Sequence, residues 1–128
     1  YLRAMNTVLV IEHRHELRDN IAEILNLSGF AVMVCVKPKT GFEKAKNNAP
    51  DVIVFDIMIE EEEVIEFFGR LISEQKTRKI PVVVLDGNIV SPSIRQQIAE
   101  LNAVHVNKPF SQEELIDAIK SAIDHRKK

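Results

Sequence analysis

The sequence predicts an α/β fold built on a parallel sheet with helices on both faces. Two observations carry that prediction. Five apolar runs of strand length recur along the chain, at residues Thr7-Ile11, Ala31-Val36, Asp51-Phe55, Ile80-Leu85 and Ala103-Val106. Most are continuous and rich in Val and Ile, as strands covered on both faces are. Helical periodicity separates each run from the next, and alternation repeated five times implies parallel strands joined by crossover helices. A chain of 128 residues has room for one such domain and not two.

The helices follow in order. After the first run, Leu17, Ile21, Ile24 and Leu25 fall at i, i+4, i+7 and i+8, one stripe of a helix that Gly29 stops. Pro38 to Asn48 reads as a shorter helix with Phe42 and Ala45 inward, ended by Asn47-Asn48-Ala49-Pro50. Glu63 to Gln75 carries Val64, Phe67, Phe68, Leu71 and Ile72, and Ile94, Ile98 and Leu101 mark a helix after Pro92. The last helix has the clearest start, with Ser111 as cap and Glu114 as its capping-box partner. Leu115, Ala118, Ile119, Ala122 and Ile123 form its buried stripe, and His125-Arg126-Lys127-Lys128 sets positive charge at the negative end of its dipole. The expected organisation is residues 1–6 as an N-terminal linker or expression remnant, 7–125 as the domain and 126–128 as a tail.

Composition narrows the function classes. Seventeen basic and nineteen acidic residues give a formal charge of -2, which argues against direct nucleic-acid binding. The longest stretch without a charged side chain, Ile24 to Val36, is too short for a membrane span of about 20 apolar residues. The single cysteine, Cys35, sits in an apolar run and reads as a small core residue. No membrane association and a cytoplasmic setting are expected.

In parallel sheets of this kind, polar chemistry gathers beyond the carboxyl ends of the strands. Those positions hold Glu12 and His13, then Asp56, then Asp86 and Gly87, then Asn107-Lys108-Pro109. A lone Asp at a strand end is often only a turn former. The joint pattern is more telling, because Asp56 ends an uninterrupted apolar strand and Lys108-Pro109-Phe110 precedes a capped helix. A flavodoxin-type FMN protein fits poorly, since Glu12-His13-Arg14-His15 follows the first strand where a phosphate cradle needs Ser, Thr and Gly.

The segments Val8-Leu9-Val10-Ile11-Glu12, Pro50-Asp51-Val52-Ile53-Val54-Phe55-Asp56-Ile57-Met58, Ile80-Pro81-Val82-Val83-Val84-Leu85 and Lys108-Pro109-Phe110 resemble the receiver domains of two-component response regulators. The resemblance covers residues 7 to 125. It implies a flavodoxin-like doubly wound five-stranded sheet of order 2-1-3-4-5, and phosphoryl transfer from a kinase histidine to Asp56. It implies Lys108 as the ammonium facing the phosphoryl oxygens. It also implies a Mg2+ site using Glu12, Asp56 and the backbone carbonyl of Met58. The partners it implies are a histidine kinase or phosphotransfer protein. An output domain or a second copy would use the face of the fourth helix, fifth strand and last helix.

The sequence departs from that pattern at four places. His13 stands where the family has a second acid that ligates magnesium, and imidazole suits that hard ion poorly. Asp86 replaces the Thr or Ser whose hydroxyl binds the phosphoryl group, and His105 replaces the aromatic switch residue. Ile59-Glu60-Glu61-Glu62-Glu63 replaces a Pro-Gly loop, and its acids read as a solvated helix opening. Glu12, Asp56 and Asp86 against Lys108 sum to -2, so the site is expected to attract a cation, with His13 supplying part of the charge if protonated. The expected function is a non-enzymatic receiver module, at most self-phosphorylating from a kinase or small phosphodonor, with weak or absent phosphorylation. The alternatives are a fully phospho-accepting regulator and a constitutive protein-interaction module.

Overall fold

The computed structural model describes residues 5–87 and 90–127. Residues 1–4 of the expected linker and residue 128 of the expected tail lie outside the described residues. Strands β1 (Thr7–Ile11), β2 (Ala31–Cys35), β3 (Val52–Asp56), β4 (Val82–Asp86) and β5 (Val104–Asn107) alternate with five helices. These are α1 (His15–Leu27), α2 (Pro38–Asn48), α3 (Glu61–Ser73), α4 (Pro92–Leu101) and α5 (Gln112–Lys127). All strand pairs are parallel and the order is β2-β1-β3-β4-β5, as the sequence predicts.

Alternation along each strand sorts the core into two layers. Leu9, Ile11, Ile53, Phe55, Val82 and Val84 face α2, α3 and α4, which contribute Phe42, Phe67, Phe68, Leu71 and Ile94. Val8, Val10, Val52, Val54, Val83 and Leu85 face α1 and α5, which contribute Ile21, Leu25, Leu115 and Ile119. The three central strands are therefore apolar at nearly every residue. The expectation of two covered faces fails for β2, where Val34 and the following Val36 are exposed. Sheet order explains this, because β2 is an edge strand with a neighbour on one side only.

Local signals set the helix ends. Ser111 Oγ accepts from the Glu114 amide at 3.0 Å while Glu114 Oε1 accepts from the Ser111 amide at 3.1 Å, the reciprocal box expected for α5. Ser91 caps α4 by accepting from the Ile94 amide, and Asn102 ends it in the left-handed region at φ 57°. Helix α3 begins two residues earlier than its apolar pattern suggests, since Glu61, Glu62 and Glu63 fill its first turn and suit its positive end. Buried Thr77, unremarked in the sequence, donates its hydroxyl to the Leu71 carbonyl at 3.0 Å and closes the other end of α3.

Two contacts matter for what sits at the strand ends. Phe55 packs against Phe67 and Phe68 with ring centroids 4.6 and 5.5 Å apart, fastening α3 beneath the last residue of β3. Gly41 lets α2 lie close on the sheet: a Cβ there would stand 2.4 Å from Ile11 Cδ1, 2.8 Å from Ile11 Cγ1 and 3.2 Å from Cys35 Sγ. Gly41→Val is therefore expected to lower stability by about 1–3 kcal/mol in urea denaturation. An unchanged midpoint would show that α2 can shift freely.

Burial pushes the Cys35 thiol up to about 11 from 9.0, against the pull of Lys44 and Arg18. A thiol raised in the folded state adds stability that is full below 9.0 and is lost as pH rises through about 11. At pH 8 an aromatic disulfide reagent should label Cys35 only when the chain is unfolded. Rapid labelling of the native protein would contradict the packed position.

Candidate functional site

Parallel register builds the site. β1 pairs with β3 so that Ile11 lies beside Phe55, and the next residues, Glu12 and Asp56, emerge side by side at the carboxyl ends. Both are buried, with Glu12 2% and Asp56 1% exposed. Two carboxylates out of water and adjacent to each other need compensation.

Most of it comes from two cations. Lys108, delivered by the turn after β5, donates its ammonium to Asp56 Oδ2, and the Lys108 amide donates to the Asp86 carbonyl at 2.8 Å. The Lys108-Pro109 peptide bond of this turn is cis. Arg14 is the second cation. Its Nη2 donates to Asp56 Oδ2 at 2.7 Å and its Nε donates to Glu12 Oε1 at 3.1 Å, so one guanidinium spans both acids. The other oxygen of Asp56, Oδ1, accepts from the Met58 amide at 2.9 Å.

The two carboxyls titrate in opposite directions. Burial, then the hydrogen bond to Asp56 and its charge, raises Glu12 above the usual carboxylate range. Burial would raise Asp56 as well, but its hydrogen bonds with Glu12, Lys108 and the Met58 amide outweigh that and hold it low. Asp56 therefore loses its proton more readily than Glu12. Glu12 Oε2 is buried without a hydrogen-bond partner, and His13 Nδ1 lies 3.4 Å from it.

The residues singled out from sequence fall into two groups. Glu12, Asp56, Met58 and Lys108 converge, with Met58 meeting Asp56 through its amide. Asp86 and His105 form a pair of their own, the imidazole Nε2 against Asp86 Oδ2 on neighbouring strands. Asp86 is fully buried and His105 is partly exposed. One count needs correction. Three acids against one lysine omits Arg14, and with it Glu12 and Asp56 face two fixed positive charges. These come from Lys108 and Arg14, and His13, 41% exposed, stands at the edge of the acids.

Arg14 was missed because it lies past the strand end, at the residue before α1, where an arginine ordinarily reads as surface. The usable signal was its place two residues after a strand-end acid. At that N-cap position its side chain caps nothing, which leaves it able to turn back over the sheet.

Residues 8–120 match the family model of the response regulator receiver domain. The chain is 31% identical over 124 residues to hybrid signal transduction histidine kinase D of Dictyostelium discoideum, covering 94% of this chain and 8% of that protein. It is 27% identical over 116 residues to the phosphate regulon transcriptional regulatory protein PhoB of Escherichia coli, covering 91% of this chain and 51% of that one. It thus spans about half of PhoB and a small part of the hybrid kinase. A CheY-like receiver domain structure from Methanospirillum hungatei superposes with a TM-score of 0.84 at 18% identity, covering 97% of this chain and 98% of that one. Sheet order and the matched span agree: the chain belongs to the response regulator receiver domain family of two-component phosphorelay signalling.

Proposed function

We propose that Asp56 is the phosphoacceptor of this receiver, with Lys108 as the phosphoryl-binding cation, and that acceptance is weak. The observation that carries this reading is the Asp56 carboxylate at the end of β3, ionised and held by Lys108. In the reaction, an Asp56 oxygen attacks phosphorus and the bond from phosphorus to the kinase histidine nitrogen breaks. That nitrogen leaves with the electron pair, and an acyl phosphate remains on Asp56. The reaction brings negative charge onto negative charge, so the Lys108 ammonium is needed where it stands.

Weakness follows from the same contacts. Oδ1 accepts from an amide and Oδ2 accepts from both Arg14 and Lys108, so each candidate nucleophilic oxygen is already engaged. Charge-assisted bonds of this kind stabilise the resting carboxylate and lower its nucleophilicity. Where a Thr or Ser would receive the phosphoryl group, the Asp86 carboxylate is bound to His105, and it offers no hydroxyl.

Magnesium fits this donor set poorly. The ion asks for near-octahedral oxygen ligands, yet Glu12 Oε1 and Asp56 Oδ2 accept from Arg14, and the position of the remaining acid holds His13. Among the described residues, no group of three His, Cys, Asp or Glu side chains is arranged to hold a metal.

Receiver domains work with histidine kinases and output domains, and such partners are proposed here for the α4-β5-α5 face. Among the described residues no helix is long and apolar enough to cross a membrane.

Incubation with phosphoramidate or acetyl phosphate, followed by intact-mass measurement, tests the acceptor. A substoichiometric gain of one phosphoryl group is expected in the native chain and none in Asp56→Asn. A gain that survives Asp56→Asn would move the acceptor elsewhere. No gain with either donor would favour an interaction module that works without phosphorylation.

A further inference from the structure

We infer that Arg14 is the resident cation of the strand-end site, and that its guanidinium excludes a divalent metal ion from the space between Glu12 and Asp56. The inference deepens the receiver reading and uses the same carboxylates, but it concerns metal occupancy rather than phosphoryl transfer.

The geometry is that of a fork between two acids. Nε–H points to Glu12 Oε1 and Nη2–H points to Asp56 Oδ2, 3.1 and 2.7 Å away, so the plane of the guanidinium bridges the ends of β1 and β3. Nη2 is also 3.1 Å from Glu12 Oε1, which fixes the bridge at both acids. The two carboxylates are sealed from water, with side-chain exposures of 1% and 0%, while Arg14 reaches in from a 47% exposed position. The guanidinium is bonded to both buried acids while nearly half of the side chain stays exposed.

An arginine there is not a neutral bystander to metal binding. The guanidinium stays protonated at any pH a protein meets, and it has donors only, so it cannot become a ligand. A divalent ion entering between Glu12 and Asp56 would meet a fixed positive charge already bonded to one oxygen of each. It could bind only by expelling Arg14 into solvent and breaking both charge-assisted bonds. His13 adds no hard oxygen to offset that loss. The arginine thus performs the electrostatic part of a metal's task, holding two acids together, and cannot perform the part that requires open coordination positions.

The test reads metal directly. Mn2+ is titrated into the native chain, Arg14→Ala, His13→Asp and the double variant, with paramagnetic broadening of the Asp56 and Met58 amide signals as the readout. The native chain should show no site-specific broadening. Removing Arg14 from the His13→Asp background should raise Mn2+ affinity by about ten-fold or more. In parallel, Mg2+ should raise the melting temperature of the double variant and leave that of the native chain unchanged. Arg14→Gln, which keeps neutral hydrogen-bond donors, replaces Arg14→Ala if the alanine variant fails to fold. Tight, localised Mn2+ binding by the native chain overturns the inference. Equal affinity in His13→Asp and the double variant overturns it too, because exclusion would then not lie with Arg14. Neither result bears on whether Asp56 accepts a phosphoryl group, and failure of the phosphorylation test leaves the metal result standing.

Discussion

Two buried carboxyl groups lie side by side because β1 and β3 are parallel neighbours in a register that sets Glu12 next to Asp56. The remaining features of the site follow from that juxtaposition. Like charges in a dry environment are unfavourable, so the fold brings a lysine from the turn after β5 and an arginine from the start of α1. It also separates the two carboxyls in acidity. Glu12, with less compensation, is the one raised, and Asp56, with donors on both oxygens, is the one lowered. The asymmetry is created by position: the Lys108 ammonium and the Met58 amide both donate to Asp56, whereas the Glu12 carboxyl accepts from the Arg14 guanidinium with His13 Nδ1 3.4 Å away.

The strands that carry the pair are covered on both faces. Asp56 ends a strand whose five residues are all buried, and Phe55 directly before it is clamped by two rings of α3. Its neighbour β4 is equally covered and ends in Asp86. Strand β5 is different. It lies at the edge, only Val106 of its four residues is fully buried, and it carries His105 outward to meet Asp86. The site thus has one half on β1 and β3 that is covered throughout and another in which covered β4 meets the exposed edge strand β5. Burial tolerates little movement in the first. The second joins a buried acid to a partly exposed base.

Much of this was legible in the sequence because it was written in periodicity. Continuous Val/Ile runs identify central strands, and the Ser111-Glu114 spacing marks a helix start. Apolar periodicity places α3 two residues late because the glutamates that open it are exposed and carry no apolar signal. β2 looked covered on both faces because its run is apolar throughout, and only sheet order reveals it as an edge. Asp56 and Lys108 stood out because each follows a strand, and strand ends converge. Arg14 did not, since its role depends on where a long side chain turns back, and spacing along the chain does not record that. Counting acids and bases near the strand ends found Glu12 and Asp56 beside Lys108, grouped Asp86 with them although it pairs with His105, and missed Arg14.

Family membership and site chemistry are therefore separate statements about this chain. The fold is retained across relatives at low identity because it is held by two apolar layers that the strand-end residues do not enter. His13, Arg14, Asp86 and His105 can vary without disturbing those layers, because each lies at a strand end or just beyond it. In this chain the charges at the strand ends come in pairs: the buried Asp86 carboxylate meets His105, and the buried Asp56 carboxylate meets Arg14 and Lys108. Pairing of that kind keeps buried carboxyls compensated without drawing on the apolar layers, so the scaffold and the chemistry of the site rest on different residues.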